Sequence, residues 1–253
     1  MHICFLTSEY PKEGYPHGGI GTFVKTIAKA LVDNGHKASV VGINYTNVYE
    51  VEYDNGVSIY RLKASKVKGL KWWFNNRLFS KQIEAIHKKH PIDIVEASEL
   101  GLAFLQKLPS ISYLIRLHGG HHFFAESEQR KVHWWSGLQE KRSFKKADGF
   151  IAVSNYVKEH TNTYLSYNKK PIEVISSPVN LDVFNPEKYK AKKSNSILFA
   201  GTVCEKKGVR QLVLSMKKVL KTYPFLQLDI YGRDWYYKDG RSYIEELKTI
   251  IRG

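Results

Sequence analysis

Short apolar runs alternate along the chain with longer segments whose apolar positions recur every three or four residues. The first run, "ICFLTS", reads as a buried strand. A glycine-rich loop follows, then a helix carrying Val24, Ile27, Ala28 and Leu31 on one face, with Gly35 in "DNGH" placed to end it. "KASVVGIN" is the next strand, and "VYEVEYDNGVSIYRLKA" alternates on either side of Asp54-Asn55-Gly56, which reads as a hairpin or a pair of short strands. The pattern continues with a helix around Leu78–Lys88, strands "IDIVEA" and "SYLIRLH", and a long helix over roughly Glu128–Lys146. "DGFIAVS" then feeds a helix capped by Ser154 or Asn155, and "IEVIS" is one more strand. Such alternation predicts an α/β fold, a Rossmann-like, mostly parallel sheet with helices on both faces.

The polar, basic segment "NPEKYKAKKSNS" interrupts this pattern, and the boundary is placed there, giving domains 1–190 and 191–253. Beyond it come strand "SILFAG", loop "TVCEKKG", a helix over Val209–Lys221, strand "FLQLDIYG" and a helix over Ser242–Ile251. Two strand–helix units are fewer than such a domain ordinarily has. The second Rossmann-like domain is therefore expected to be incomplete, with a bare sheet edge.

Composition narrows the function classes. A hydrophobic share of 43% is that of a globular protein, and 39 Lys+Arg against 24 Asp+Glu give a formal charge of +15. That charge suits nucleic acid, an anionic membrane surface or phosphate-bearing ligands. No zinc-finger spacing or aromatic–glycine RNA signature accompanies it, so no nucleic acid partner is expected. Neither a secretory signal nor a membrane-spanning run is visible, and Cys4 and Cys204 lie in separate strand patterns as reduced thiols. The expected location is cytoplasmic, with peripheral contact to the inner face of the membrane.

The loop "EYPKEGYPHGGIGTFVKTIAKAL" places Gly18, Gly19 and Gly21 where a strand has ended and a helix begins. Backbone N–H groups at such a junction, together with the helix dipole, suit an anion; a roomy turn is the plainer reading. A dinucleotide fingerprint fails on three counts. Val24 stands where its third glycine belongs, about ten residues separate strand from glycines, and the second strand ends "VVGIN" without an acid.

Five segments in register resemble the family 4 glycosyltransferases, which have the GT-B fold: the strand–loop–helix opening, "IRLHGG", "KADGFIAVSNYVKE", "ISSPVNLDVFNP" and "ILFAGTVCEKKGVRQLV". The resemblance implies a two-lobed enzyme whose donor is a nucleotide diphosphate sugar and whose acceptor is a saccharide or lipid-linked saccharide. Transfer would retain anomeric configuration, with no metal and no cofactor, in surface polysaccharide or glycoconjugate synthesis. It further implies that Gly18, Gly19, Gly21, Gly201, Thr202 and Lys207 meet the donor and its phosphates, and that His118 sits at the reacting sugar as an orientation contact. Glu9, Glu96, Ser98, Glu99 and Ser154 lie at strand ends on the acceptor side, Ser154 equally as a helix cap. The sequence departs from the family at Gly201-Thr202, where many members have Gly-Arg; Arg210 or Arg233 would have to compensate. The later family stretch with two glutamates lies beyond Gly253, so the chain is expected to be a fragment inactive by itself. A non-catalytic lobe that binds an acceptor or partner is the alternative. A sugar-nucleotide epimerase of the same fold fits "PVNLDVF" and "EKKG" less well. Trp72, Trp73, Trp134 and Trp135 either stack on sugars or pack as core or membrane-facing residues.

Overall fold

The structure, a computed structural model, describes residues 1–127, 130–181, 183–187, 194–237 and 239–252. It divides into two compact units, Met1–Leu181 and Asp182–Gly253. The expected boundary between 190 and 191 lies outside the described residues.

The first unit runs β1 (His2–Leu6), α1 (Gly19–Asp33), β2 (Lys37–Ile43), β3 (Glu50–Asp54), β4 (Val57–Leu62), α2 (Lys71–Lys89), β5 (Ile94–Ala97) and β6 (Ser112–Leu117). Then follow α3 (His121–Ser127), α4 (Trp134–Lys146), β7 (Gly149–Ala152), α5 (Asn155–Asn162) and β8 (Ile172–Val174). The strands form one sheet in the order β3-β4-β2-β1-β5-β6-β7-β8. Every pairing is parallel except β3 with β4, the expected hairpin around Asn55-Gly56. Strand β1 is buried on both faces, which is why it reads as an unbroken apolar run. Its alternate residues feed two cores: Ile3 and Phe5 meet Phe23, Val24 and Ala28 of α1, while Cys4 and Leu6 join the core holding Ile83 and Ile86 of α2 and Phe144 of α4. Gly35, at φ +78°, ends α1: its N–H donates to the Val32 carbonyl and that of His36 to Leu31, a Schellman closure.

Two helices differ from expectation. Helix α2 begins at Lys71, because Trp72 packs 4.2 Å from the Phe104 ring and Asn75 accepts from the Ser65 amide, contacts that no local propensity encodes. The long helix expected from Glu128 starts instead at Trp134, after an extended His133, and the separate α3 precedes it. Residues 128 and 129 lie outside the described residues.

The edge strand β3 carries Glu50, Glu52 and Asp54 on its partly buried side and Val51 and Tyr53 on its exposed side. Lys12 pairs with Glu50 and Glu52, Arg61 with Glu52, and Lys25 with Asp54.

In the second unit, β9 (Ser196–Ala200) and β10 (Gln227–Tyr231) pair in parallel. A 3₁₀ turn at Glu205–Lys207 leads into α6 (Val209–Thr222), and α7 (Tyr243–Arg252) follows. Val203, Val209, Tyr243 and Leu247 form its core, while Leu198 and Tyr231 are each 66% exposed.

Candidate functional site

The sequence-derived residues of the first unit fall at one edge of its sheet, beyond the carboxyl ends of four adjacent strands. Glu9 follows β1, Ser98 and Glu99 follow β5, His118 follows β6 and Ser154 follows β7. Connections leave β1 and β5 to opposite faces here, the point of an open α/β sheet where a crevice is geometrically forced. A cavity of about 280 Å³ occupies it, lined by Thr7, Ser8 and Glu9 after β1, Ser98 and Gly101 after β5, and Asn76 and Phe79 of α2.

The three glycines serve different ends. Gly18 is the N-cap of α1 and has no side-chain cap, so the first-turn N–H groups are left without that partner. A Cβ on Gly18 would collide with the Glu9 carboxylate. One on Gly21 would lie 2.9 Å from the Glu9 carbonyl carbon and closer still to its oxygen. One on Gly19 would meet nothing within 4 Å. Gly21 therefore lets α1 lie against the backbone at Glu9, and Gly19 is the glycine that faces open space. The loop between them is clamped from behind. Arg61 donates to the Tyr10 and Pro11 carbonyls at 3.1 and 2.8 Å, and the Tyr10 hydroxyl donates to Asp54 at 3.0 Å.

His118 is held by two neighbours. Its backbone N–H donates to Glu99 at 2.6 Å, and its ring meets Phe23 of α1 edge-on at 5.3 Å. Arg116, two residues earlier, stacks over the same Phe23 at 4.6 Å. Burial, helped by the Arg116 charge, lowers the His118 pKa to about 4, so the imidazole is neutral at physiological pH. Burial pushes Glu99 the other way, to about 7, although backbone N–H groups of His118 and Gly119 oppose it. Glu96 is not at the site: it lies within β5 and forms a buried two-point pair with Arg116 at 2.7 and 3.1 Å.

One residue here escaped the sequence reading. Glu140 of α4 has no exposed surface. Its carboxylate accepts the backbone N–H groups of His121 and His122 and meets the His122 imidazole. It thus starts α3 and fixes the loop after His118, and a Cβ on Gly120 would collide with it. The available signal was positional: Glu140 shares the buried face of α4 with Gly137, Ser143 and Phe144. Ser154 caps α5, its hydroxyl accepting the Val157 N–H at 3.2 Å.

In the second unit Gly201 and Thr202 follow β9, and Lys207 is exposed in the 3₁₀ turn before α6. A Cβ on Gly232 would collide with the Gly201 carbonyl, so the two strand ends meet backbone to backbone. Arg210 is committed elsewhere, to Glu205 at 2.7 Å and to Glu246. Among the described residues no group of three or more His, Cys, Asp or Glu is arranged to hold a metal ion.

Known proteins are similar to this chain in sequence or fold. A glycosyltransferase of Methanocaldococcus jannaschii, MJ1607, is 25% identical over 276 residues, covering 98% of this chain and 66% of its own length. Sucrose-phosphate synthase from Thermosynechococcus elongatus superposes with a TM-score of 0.70 at 16% identity, over 99% of this chain and 66% of that one. An E. coli trehalose-6-phosphate structure bound with UDP-2-fluoro glucose gives 0.62 at 10% identity, over 99% and 68%. The chain thus spans 66% of the length of the first two. The fold class is that of the GT-B glycosyltransferases. The family profile described as Glycosyltransferase Family 4 matches residues 17–183, two thirds of the sequence, which takes in Gly18 to Ser154 but not Thr7, Ser8 and Glu9 of the crevice, and the chain belongs to that family.

Proposed function

We propose that the protein is a retaining glycosyltransferase that moves a sugar from a nucleotide diphosphate sugar to a saccharide or lipid-linked acceptor, in surface polysaccharide or glycoconjugate synthesis. The observation that carries this reading is the crevice at the ends of β1, β5 and β6. There the Gly19 end of α1, Ser98 and a neutral, rigidly held His118 face one edge of the sheet. A nucleotide-sugar donor also agrees with the E. coli neighbour, which is bound with UDP-2-fluoro glucose.

As the sugar–phosphate bond breaks, charge builds on the departing diphosphate. Groups that strengthen their contact with that charge lower the barrier. The first unit supplies the free N–H groups and dipole of α1 through Gly18 and Gly19. In the second unit, taken by itself, the family resemblance assigns Lys207, Gly201 and Thr202 to the donor phosphates. His118, with its pKa near 4, is a hydrogen-bond partner for a sugar hydroxyl and neither a cation nor a strong base. Glu9 and Ser98 line the crevice on the acceptor side with Glu99 buried next to Ser98, and Ser154, which caps α5, follows β7 on the same sheet edge. Transfer proceeds without a metal or other cofactor. The basic surface seats the protein peripherally on an anionic membrane, where a lipid-linked acceptor is presented.

In the whole protein, His118→Ala lowers turnover much more than donor affinity, measured as nucleoside diphosphate release against nucleotide-sugar titration. Equal turnover in variant and parent removes His118 from the site. Lys207→Ala weakens nucleoside diphosphates more than nucleosides by calorimetry; equal losses refute its phosphate contact. Product anomers read by NMR decide retention, and unchanged rates in EDTA decide metal independence.

A further inference from the structure

Four tryptophans lie in two sequence pairs some sixty residues apart, and the fold brings the pairs together. Trp72 of α2 meets Trp135 of α4 at 5.2 Å, and the Phe104 ring packs against both, at 4.2 and 5.7 Å. These three are half-buried and form the base. Their sequence neighbours point outward: Trp134 is 73% exposed and Trp73 37%. Guanidinium groups border the cluster, Arg77 at 4.7 Å from the Trp73 ring and Arg142 at 5.0 Å from Phe104.

The charge around it has one sign. Residues 63–81 contain six Lys or Arg and no Asp or Glu. Residues 130–146 contain six more, and their one acid, Glu140, is wholly buried and turned to His121 and His122. On α4 the exposed residues Trp134, Leu138, Lys141 and Lys145 fall at helical spacing, so one face is apolar at its start and cationic at its end. Val67 and Leu70, 44% and 50% exposed, continue the apolar surface ahead of α2.

We propose that the exposed tryptophans at the starts of α2 and α4, with their ring of lysines and arginines, are the surface by which the protein enters the interface of an anionic bilayer. The inference rests on the membrane contact of the proposed function and gives that contact an address. The chemistry selects the occupant. A saccharide platform needs carboxylates or uncommitted amides beside the rings to read hydroxyls; here the charged border is cationic throughout, and the α2 amides are engaged, Asn75 accepting the Ser65 N–H and Asn76 donating to the Trp72 carbonyl. Indole rings with a polar edge favour the headgroup boundary, and lysine and arginine beside them favour acidic headgroups. No helix among the described residues is long and apolar enough to cross a membrane, so this contact lies on the bilayer surface.

The test is co-sedimentation of the whole chain with phosphatidylcholine vesicles, with and without phosphatidylglycerol. The parent binds the acidic vesicles and not the neutral ones. The double variant Trp73→Ala/Trp134→Ala and the charge variant Lys68→Gln/Lys71→Gln each lose at least ten-fold in partitioning. Lys217→Gln/Lys218→Gln, an equal charge change on exposed residues of α6, loses less than two-fold. All the replaced side chains are exposed, and coincident thermal melts confirm intact folds. If the parent binds acidic vesicles and the tryptophan variant binds equally, this surface is wrong while the membrane contact stands. If the parent binds neither vesicle, both fall. A dimer seen by sedimentation, abolished by the tryptophan variant and indifferent to vesicles, would assign the surface to a second copy and overturn the proposal.

Discussion

Gly19 and Gly21 stand two residues apart in one helix, and the same added methyl should move stability in opposite directions at the two. At Gly21 the new Cβ would sit 2.9 Å from the Glu9 carbonyl carbon and nearer still to its oxygen, inside the 3.0 Å below which real Cβ atoms are not found. The obstacle is backbone, anchored by Arg61 and Asp54 through Tyr10, so it cannot swing aside. Overpacking of this kind costs about 1–3 kcal/mol, and alanine's helix propensity returns at most about 1. At Gly19 nothing lies within 4 Å of the added atom and φ is not positive. There alanine stabilises by roughly 0.4–1 kcal/mol through the unfolded chain. A gap of about 2 kcal/mol between the variants separates their urea midpoints by roughly 1 M at an m-value of about 2 kcal/mol/M. Tryptophan fluorescence reports it, since four of the five indoles lie in the first unit. Coincident midpoints, or a stabilised Gly21→Ala, would refute the close approach of α1 to Glu9. The stabilised Gly19→Ala should nonetheless bind nucleotide sugar more weakly, because its methyl occupies the space assigned to the ligand.

Arg116→Met leaves Glu96 buried and unpaired and should cost about 3–5 kcal/mol in chemical denaturation; a loss under about 1 kcal/mol would show the pair to be solvated. Ser154→Ala removes the cap of α5 and should cost about 1 kcal/mol, with no change in donor affinity if capping is its whole role. His118 falls on folding from 6.5 to about 4, so its contribution is lost as pH falls through that window; the parent should gain on His118→Asn as pH rises from about 4 to 6.5. Glu99 rises from 4.5 to about 7, so the parent should lose ground to Glu99→Gln as pH rises across that range. Urea midpoints against pH measure both, and a pH-independent difference in either case contradicts the burial described.

Much of the first unit was legible because its signals are local. A strand buried on both faces must be continuously apolar, and a Schellman closure needs a residue such as Gly35 at positive φ. Strand ends were legible too, so Glu9, Ser98, Glu99 and His118 could be placed on one edge before their neighbours were known. What could not be read depends on partners distant in sequence. Gly21 looks like a ligand glycine until the Glu9 carbonyl is seen against it. Glu96 resembles Glu99 until Arg116 is found across the strand pair. Glu140 lies some twenty residues beyond the loop it organises, and only the helical period of α4 hints that it points inward. The convergence of the two tryptophan pairs is likewise a property of how α2 and α4 pack.

The inward acids of β3 also act as a proofreading device for the sheet. Because side chains alternate, a slip of one residue against β4 would turn Glu50, Glu52 and Asp54 outward and drive Val51 and Tyr53 in. The slipped strand would leave Lys12 and Arg61 facing each other's charge with no carboxylate between. Misregister is thereby penalised electrostatically at the antiparallel edge strand, which a tight turn alone joins to its neighbour. An approaching chain meets the same penalty, since a strand laid along this edge would have to accept buried charge on its neighbour's inner side. Both safeguards rely on ionised carboxylates, so in strong acid this edge is where faulty pairing and accretion should begin.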